Sequence, residues 1–161
     1  MYEFLDRRVT TLDQGGRFLI WSMRSWATAA GHNHKQGSLP RQMQCPASVI
    51  APAFAKWRMI SGLQPFHRLM LLLSRHALET IQFNNLPCHH VAEHEAILIS
   101  LICGLGEGQP EAAAGTLALI VEEDRRDEVL QAMCELTAAM AAASILPGRL
   151  TPTPDSIGKR S

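Results

Sequence analysis

The chain has 161 residues, 47% of them apolar, and its 15 Lys/Arg balance its 15 Asp/Glu. That apolar content excludes a disordered chain, and the length supports one domain with a core of its own. A single Tyr, few β-branched residues and abundant Ala, Leu and Met favour helix over strand.

The zero net charge hides an asymmetry. Residues 1–75 hold ten Lys/Arg against three Asp/Glu, a net of +7, whereas residues 76–161 hold five against twelve, a net of −7. Such a split suits either a basic surface for nucleic acid or anionic lipid, or two halves that attract each other within one chain or between copies. No arginine cluster is dense enough to read as a phosphate-binding patch. The second reading is therefore favoured, and nucleic acid is disfavoured as a partner.

The N-terminus, MYEFLDRRVTTLD, carries charge where the apolar core of a signal peptide would lie. Four cysteines (Cys45, Cys88, Cys103, Cys134) show no C-x-x-C spacing, which fits reduced thiols in a cytoplasmic protein. The longest apolar run, Ala96 to Leu105, is about half of what a membrane span needs, so no transmembrane segment is expected.

In chain order, residues 2–9 suit a short leading helix. Thr11 with Gln14, or Thr10 with Asp13, offers a capping start for a helix running to Ala30, with Leu12, Leu19, Met23, Trp26 and Ala30 on one face. Gly31 fits its C-terminal cap. Gly15-Gly16 costs on the order of 1 kcal/mol per glycine relative to Ala. The pair either marks close approach of another helix or breaks the segment in two. Arg17, Trp21, Arg24 and Trp26 would suit a lipid headgroup layer, but an ordinary core consumes the same face, and core packing is favoured.

Residues 32–46 (HNHKQGSLPRQMQCP) read as a basic loop containing His32-x-His34. Ser48 caps a helix over 49–61 with Pro52 in its first turn, and Gly62 ends it. Pro65 opens a helix over 66–84. A turn at Asn84-Asn85-Leu86-Pro87 leads into a strongly apolar helix over 88–105. Pro110 starts an alanine-rich helix to about Glu123. Asp124 or Asp127 starts the last helix, to Leu146, with a seam of Val129, Met133, Leu136, Met140 and Ala143. Its second half, TAAMAAAS, allows a neighbouring backbone to come close, and Pro147-Gly148 stops it. The expectation is an all-α fold: a single-domain antiparallel bundle of five to six helices over residues 1–147, with a disordered, flexible tail over 148–161.

Five of the seven histidines (His67, His76, His89, His90, His94) lie in or beside the central helix pair. With the turn at Asn85, His76 lies nine residues before it and His94 nine after, while Glu79 lies six before and His90 five after. In an antiparallel hairpin those positions level with one another. The strips Leu72, His76, Glu79, Phe83 and His90, His94, Ile97, Leu101 then face each other. The candidate metal site is therefore His76, Glu79, His90 and His94, a set that suits zinc or iron. Cys88, His89 and Glu93 stand near enough to substitute, and Glu93 is also placed to orient an imidazole.

The competing pattern is an apolar stripe of Phe66, Leu69, Met70, Leu73, Ala77 and Ile81, which turns His76 and Glu79 toward solvent. On the second helix the stripe is Val91, His94, Leu98, Leu101 and Leu105, with His94 near the core on either reading. His90-Val-Ala-Glu93-His94 matches the H-x-x-E-H zinc-protease pattern, with the two histidines as ligands and Glu93 as base. Those proteases are built on mixed α/β domains, and no sheet is expected here. The Glu-x-x-His pairs of di-iron bundles are absent.

Cys88 beside His89 and His90 is either an activated thiolate or a small buried residue. No phosphate loop, nucleophile elbow or recognition helix is present, and no catalytic or cofactor-binding residue is assigned. The favoured function is a non-catalytic interaction or regulatory module that self-associates, as a homodimer or other homo-oligomer, or binds a protein partner. The alternative is a metal-binding bundle.

Overall fold

The computed structural model describes residues 4–31 and 45–148. Six α-helices pack around one core: α1 (Gln14–Ala29), α2 (Pro46–Lys56), α3 (Ile60–His76), α4 (Glu93–Gly106), α5 (Pro110–Leu117) and α6 (Arg126–Ala142). No strand forms among the described residues; two isolated bridges, Arg8 with His90 and Ala77 with Val121, are the only extended pairings there. The all-α expectation holds. No helix among the described residues is long and apolar enough to cross a membrane. His32, His34 and the segment beyond Gly148 lie outside the described residues.

Asp13 caps α1, its carboxylate accepting the Gly16 amide at 2.8 Å, while the Thr11 hydroxyl donates to the Arg8 carbonyl within a short 3-10 turn. The glycine pair does not break the helix. A Cβ on Gly15 would land on the carbonyl oxygen of Ile145, so the chain leaving α6 crosses α1 at a distance only glycine permits. Phe18, Leu19, Met23 and Trp26 are buried.

Helix α2 begins earlier than Ser48, at Pro46, and ends at Lys56, with Trp57 as its C-cap. Arg58 then takes a left-handed φ of 60°, and the Met59 amide closes back onto the Phe54 carbonyl at 2.6 Å. Helix α3 follows immediately. Gly62 therefore sits inside α3 rather than ending α2; a Cβ there would come within 3.1 Å of the Ala139 Cβ on α6. This is the close approach that the small residues of the last helix allow. Along α6, Val129, Met133, Leu136 and Met140 are buried, as their spacing requires.

The middle of the chain departs from expectation. Helix α3 stops at His76 instead of continuing to residue 84, and α4 does not begin until Glu93. The hairpin of two long helices therefore does not form; an irregular segment, 77–92, joins them. Within it Ile81 and Phe83 are buried while Gln82 between them is exposed, an alternation with a period of two rather than 3.6. Nor is the leading segment helical over its described residues 4–8, which form a turn and an isolated bridge. Its backbone pairs with 89–91 through Val9 N–H to the His89 carbonyl (2.7 Å), Val91 N–H to the Arg7 carbonyl (2.9 Å) and Asp6 N–H to the Val91 carbonyl (3.1 Å). Helix α5 ends at Leu117, six residues early, and a bend over 118–122 leads toward α6. Helix α4 is the axis of the domain. Every residue from Glu95 to Gly104 is buried, and it packs against α1, α5 and α6.

Candidate functional site

The centre that shapes the molecule is an ion pair absent from the sequence reading. Arg24, on the buried face of α1, and Glu95, in the first turn of α4, are 1% and 0% exposed. Arg24 Nε–H donates to Glu95 Oε2 (2.8 Å) and Nη2–H to Oε1 (3.0 Å), a two-pronged contact that the planar guanidinium suits. The remaining donors go to backbone carbonyls: Nη1 to Cys88 (2.7 Å), Asn85 (3.2 Å) and Leu86 (3.4 Å), and Nη2 to His90 (2.8 Å). Glu95 accepts two more bonds, from the Ala92 amide (2.8 Å) and the Asn84 amide (3.1 Å). The Ala92 bond is half of a capping box, closing the N-terminus of α4, where the helix dipole also favours a carboxylate. Buried charges persist only when hydrogen-bonded this completely. The pair takes the place of a sheet or helix in holding segment 77–92, and it joins the basic and acidic halves of the chain.

The four predicted metal-site residues are distributed along this segment and its flanks. His76 closes α3, with Nδ1 3.1 Å from Glu122 Oε2. Glu79 is 82% exposed, and its Oε1 stands 4.0 Å from His94 Nε2. His94 Nδ1 accepts the Gln82 amide at 2.8 Å, so one lone pair is taken and the neutral ring carries its proton on Nε2. His90 contributes its carbonyl to Arg24, and the residue is exposed. Among the described residues no group of three or more His, Cys, Asp or Glu is arranged to hold a metal ion. Cys88 is half-buried, its thiol 3.7 Å from the His90 carbonyl.

His67 is placed by packing. Trp26 Nε1–H donates to its Nδ1 at 2.9 Å, joining α1 to α3, and burial pushes the imidazole below its ordinary value of 6.5. The neutral ring is the form that accepts this bond. Its contribution to stability is complete above pH 6.5, where the unfolded chain is also neutral, and drains away as pH falls from there toward the depressed folded value. Urea midpoints at pH 7.5 and pH 5.5 should therefore differ less for His67→Asn than for the wild type. An equal acid sensitivity in both proteins would refute this assignment. Elsewhere, Cys45 stands at the N-cap position of α2, and the nearby amides of Ser48 and Ala47 lower its exposed thiol below the usual range.

A concavity lies between α1 and α2. It encloses about 580 Å³ and is walled by Phe18, Trp21, Ala53 and Trp57, with Arg17 and Lys56 at its edge. Trp21 and Trp57 are 39% and 37% exposed. Phe18 carries the Trp57 ring edge-on at a centroid distance of 6.3 Å and is itself backed by Phe54 at 4.9 Å. A second hollow, about 340 Å³, shares Arg17 and Trp21 and extends the groove to Leu86, Pro87 and His89. Among the described residues no carboxylate lines either one, and Arg17 and Lys56 enter no ion pair. The volume lies within the range of ordinary small-molecule pockets, and the lining is mainly apolar.

The signal for the groove was present in the sequence. Arg17 and Trp21 share a helical face, at i and i+4, opposite the stripe that Leu19, Met23 and Trp26 bury. Trp57 has no such periodic marker, because it follows the end of α2. Comparison with family models, with curated proteins and with solved structures gives no match.

Proposed function

We propose that the protein is a non-catalytic interaction module that self-associates. One observation carries this reading: four of the large exposed apolar side chains, Trp21, Trp57, Leu78 and Leu119, lie in two settings of opposite charge, while Leu86 lines the adjoining hollow and Leu5 and Ile60 belong to neither. Trp21 and Trp57 stand beside Arg17 and Lys56. Leu78 and Leu119, 58% and 67% exposed, stand beside the sequence neighbours Glu79, Glu122, Glu123 and Asp124. Single exposed apolar residues are ordinary on any surface; their sorting by charge is what supports a contact between copies. The intrachain ion pairs Arg24–Glu95 and Arg68–Glu128 use only part of the opposition between the two halves.

Sedimentation at two protein concentrations, each in low and high salt, tests this. The expected result is a mass that rises with concentration and does so less steeply in high salt, because exposed charges are screened. A strict monomer in low salt at both concentrations would remove self-association from the reading.

A further inference from the structure

We infer that copies join head to tail, the Leu78–Leu119 ridge of one molecule seating in the α1–α2 groove of the next. This rests on the self-association reading above and specifies its geometry.

The ridge is built by backbone. Leu78 N–H donates to the Ile120 carbonyl (2.8 Å) and Glu122 N–H to the His76 carbonyl (3.0 Å), so the chain after α3 and the bend after α5 are held side by side. Each brings an exposed leucine. Of the nearby cations, Arg125 pairs with Glu128 at 2.7 Å, and Arg126 keeps its charge but is turned to the carbonyls of Ala118 and Val121 at 3.1 Å each. His76 stands 3.1 Å from Glu122 and Arg75 is exposed, so the four carboxylates are only partly offset. Glu79, Glu122, Glu123 and Asp124 are all exposed. The groove offers the complement, with two tryptophan faces for the leucines, Arg17 and Lys56 for the carboxylates, and no acid among the described residues that line it.

Charge selects the pairing. Groove against groove would oppose Arg17 and Lys56 to their own copies, and ridge against ridge would oppose carboxylates to carboxylates. Groove against ridge is the matched arrangement. Helix α5, at whose end the ridge forms, packs on α4 and α6, whereas the groove belongs to α1 and α2. The two surfaces therefore differ, and the contact is heterologous: it adds copies in a ring or a chain.

Two variant pairs test this on the full chain, with circular dichroism to verify folding: Trp21→Ser/Lys56→Glu in the groove and Leu78→Ser/Leu119→Ser on the ridge. All four positions are exposed. Each pair should weaken self-association on the order of tenfold or more, the loss expected of a tryptophan-centred contact. A mixture of the two should recover association but stop at a one-to-one complex, since only one groove and one ridge remain intact. Restoration by mixing is the result that a non-specific apolar surface does not give.

If the wild type associates but either variant pair associates equally well, or the mixture stays monomeric, the head-to-tail contact is wrong while self-association stands. If the wild type is monomeric, the broader reading fails with it. Tryptophan shielding from iodide that does not change with protein concentration would assign the groove to another occupant and would also overturn the inference.

Discussion

Arg24→Met should cost about 3 to 5 kcal/mol, the penalty of leaving one member of a buried ion pair alone. Glu95 would remain 0% exposed with its charge facing the vacated space, and four carbonyls of segment 77–92 would lose their donor. Against a total stability of about 5 to 15 kcal/mol for an ordinary domain, that is a large share. In urea it corresponds to a midpoint lowered on the order of 2 M.

Removing both charges with Arg24→Met/Glu95→Leu should restore only part of the loss. Apolar replacement of a buried pair is often neutral or stabilising. Here, however, the guanidinium also satisfies carbonyls and the carboxylate also satisfies the Ala92 and Asn84 amides, and no apolar side chain replaces those bonds. Amide hydrogen exchange should locate the damage in 82–92 before it reaches α6. A single variant as stable as the wild type, or one that loosens the whole domain uniformly, would show that the pair does not organise this segment.

Phe54→Ala should cost about 3 to 5 kcal/mol, the range for deleting a fully buried aromatic ring. Phe54 is 0% exposed and sits between Phe18 and Phe66, with centroid distances of 4.9 and 5.5 Å. It is the ring at which α1, α2 and α3 meet, so its loss opens a cavity in three interfaces at once. Helix α2 has only Ile50 and Phe54 as buried side chains, so it has little else with which to hold its place. The variant should therefore melt at a lower temperature and also lose concentration-dependent association, because Phe18 and Trp57 depend on this ring for the shape of the groove. A variant that melts lower but associates unchanged would separate the groove wall from the core beneath it.

The helical class, the positions of α1 and α6, the apolar body and C-terminal end of α4 and the buried seam of α6 were legible in the residues, whereas the start of α4 was not. Each rests on local rules, namely spacing of apolar side chains, capping and glycine or proline punctuation, that act over one or two turns. Gly15 was legible as a contact point for the same reason, although its partner, the Ile145 carbonyl, lies far along the chain. The lengths of α3 and α5 were not. Residues 77–84 carry acceptable helix formers, and what pulls them out of a helix is the burial of Ile81 and Phe83 together with the bond from Asn84 N–H to Glu95.

The same is true of the histidines. Levelling His76 with His94 required two straight helices meeting at Asn85. Once 77–92 is irregular, His76 falls beside Glu122 and His94 beside Gln82. By itself the sequence determined a helical domain divided into a basic and an acidic half. Which charges are spent inside it and which remain at the surface was decided only by tertiary structure. A single arginine and a single glutamate, 71 positions apart, find each other in the interior because neither can be buried alone.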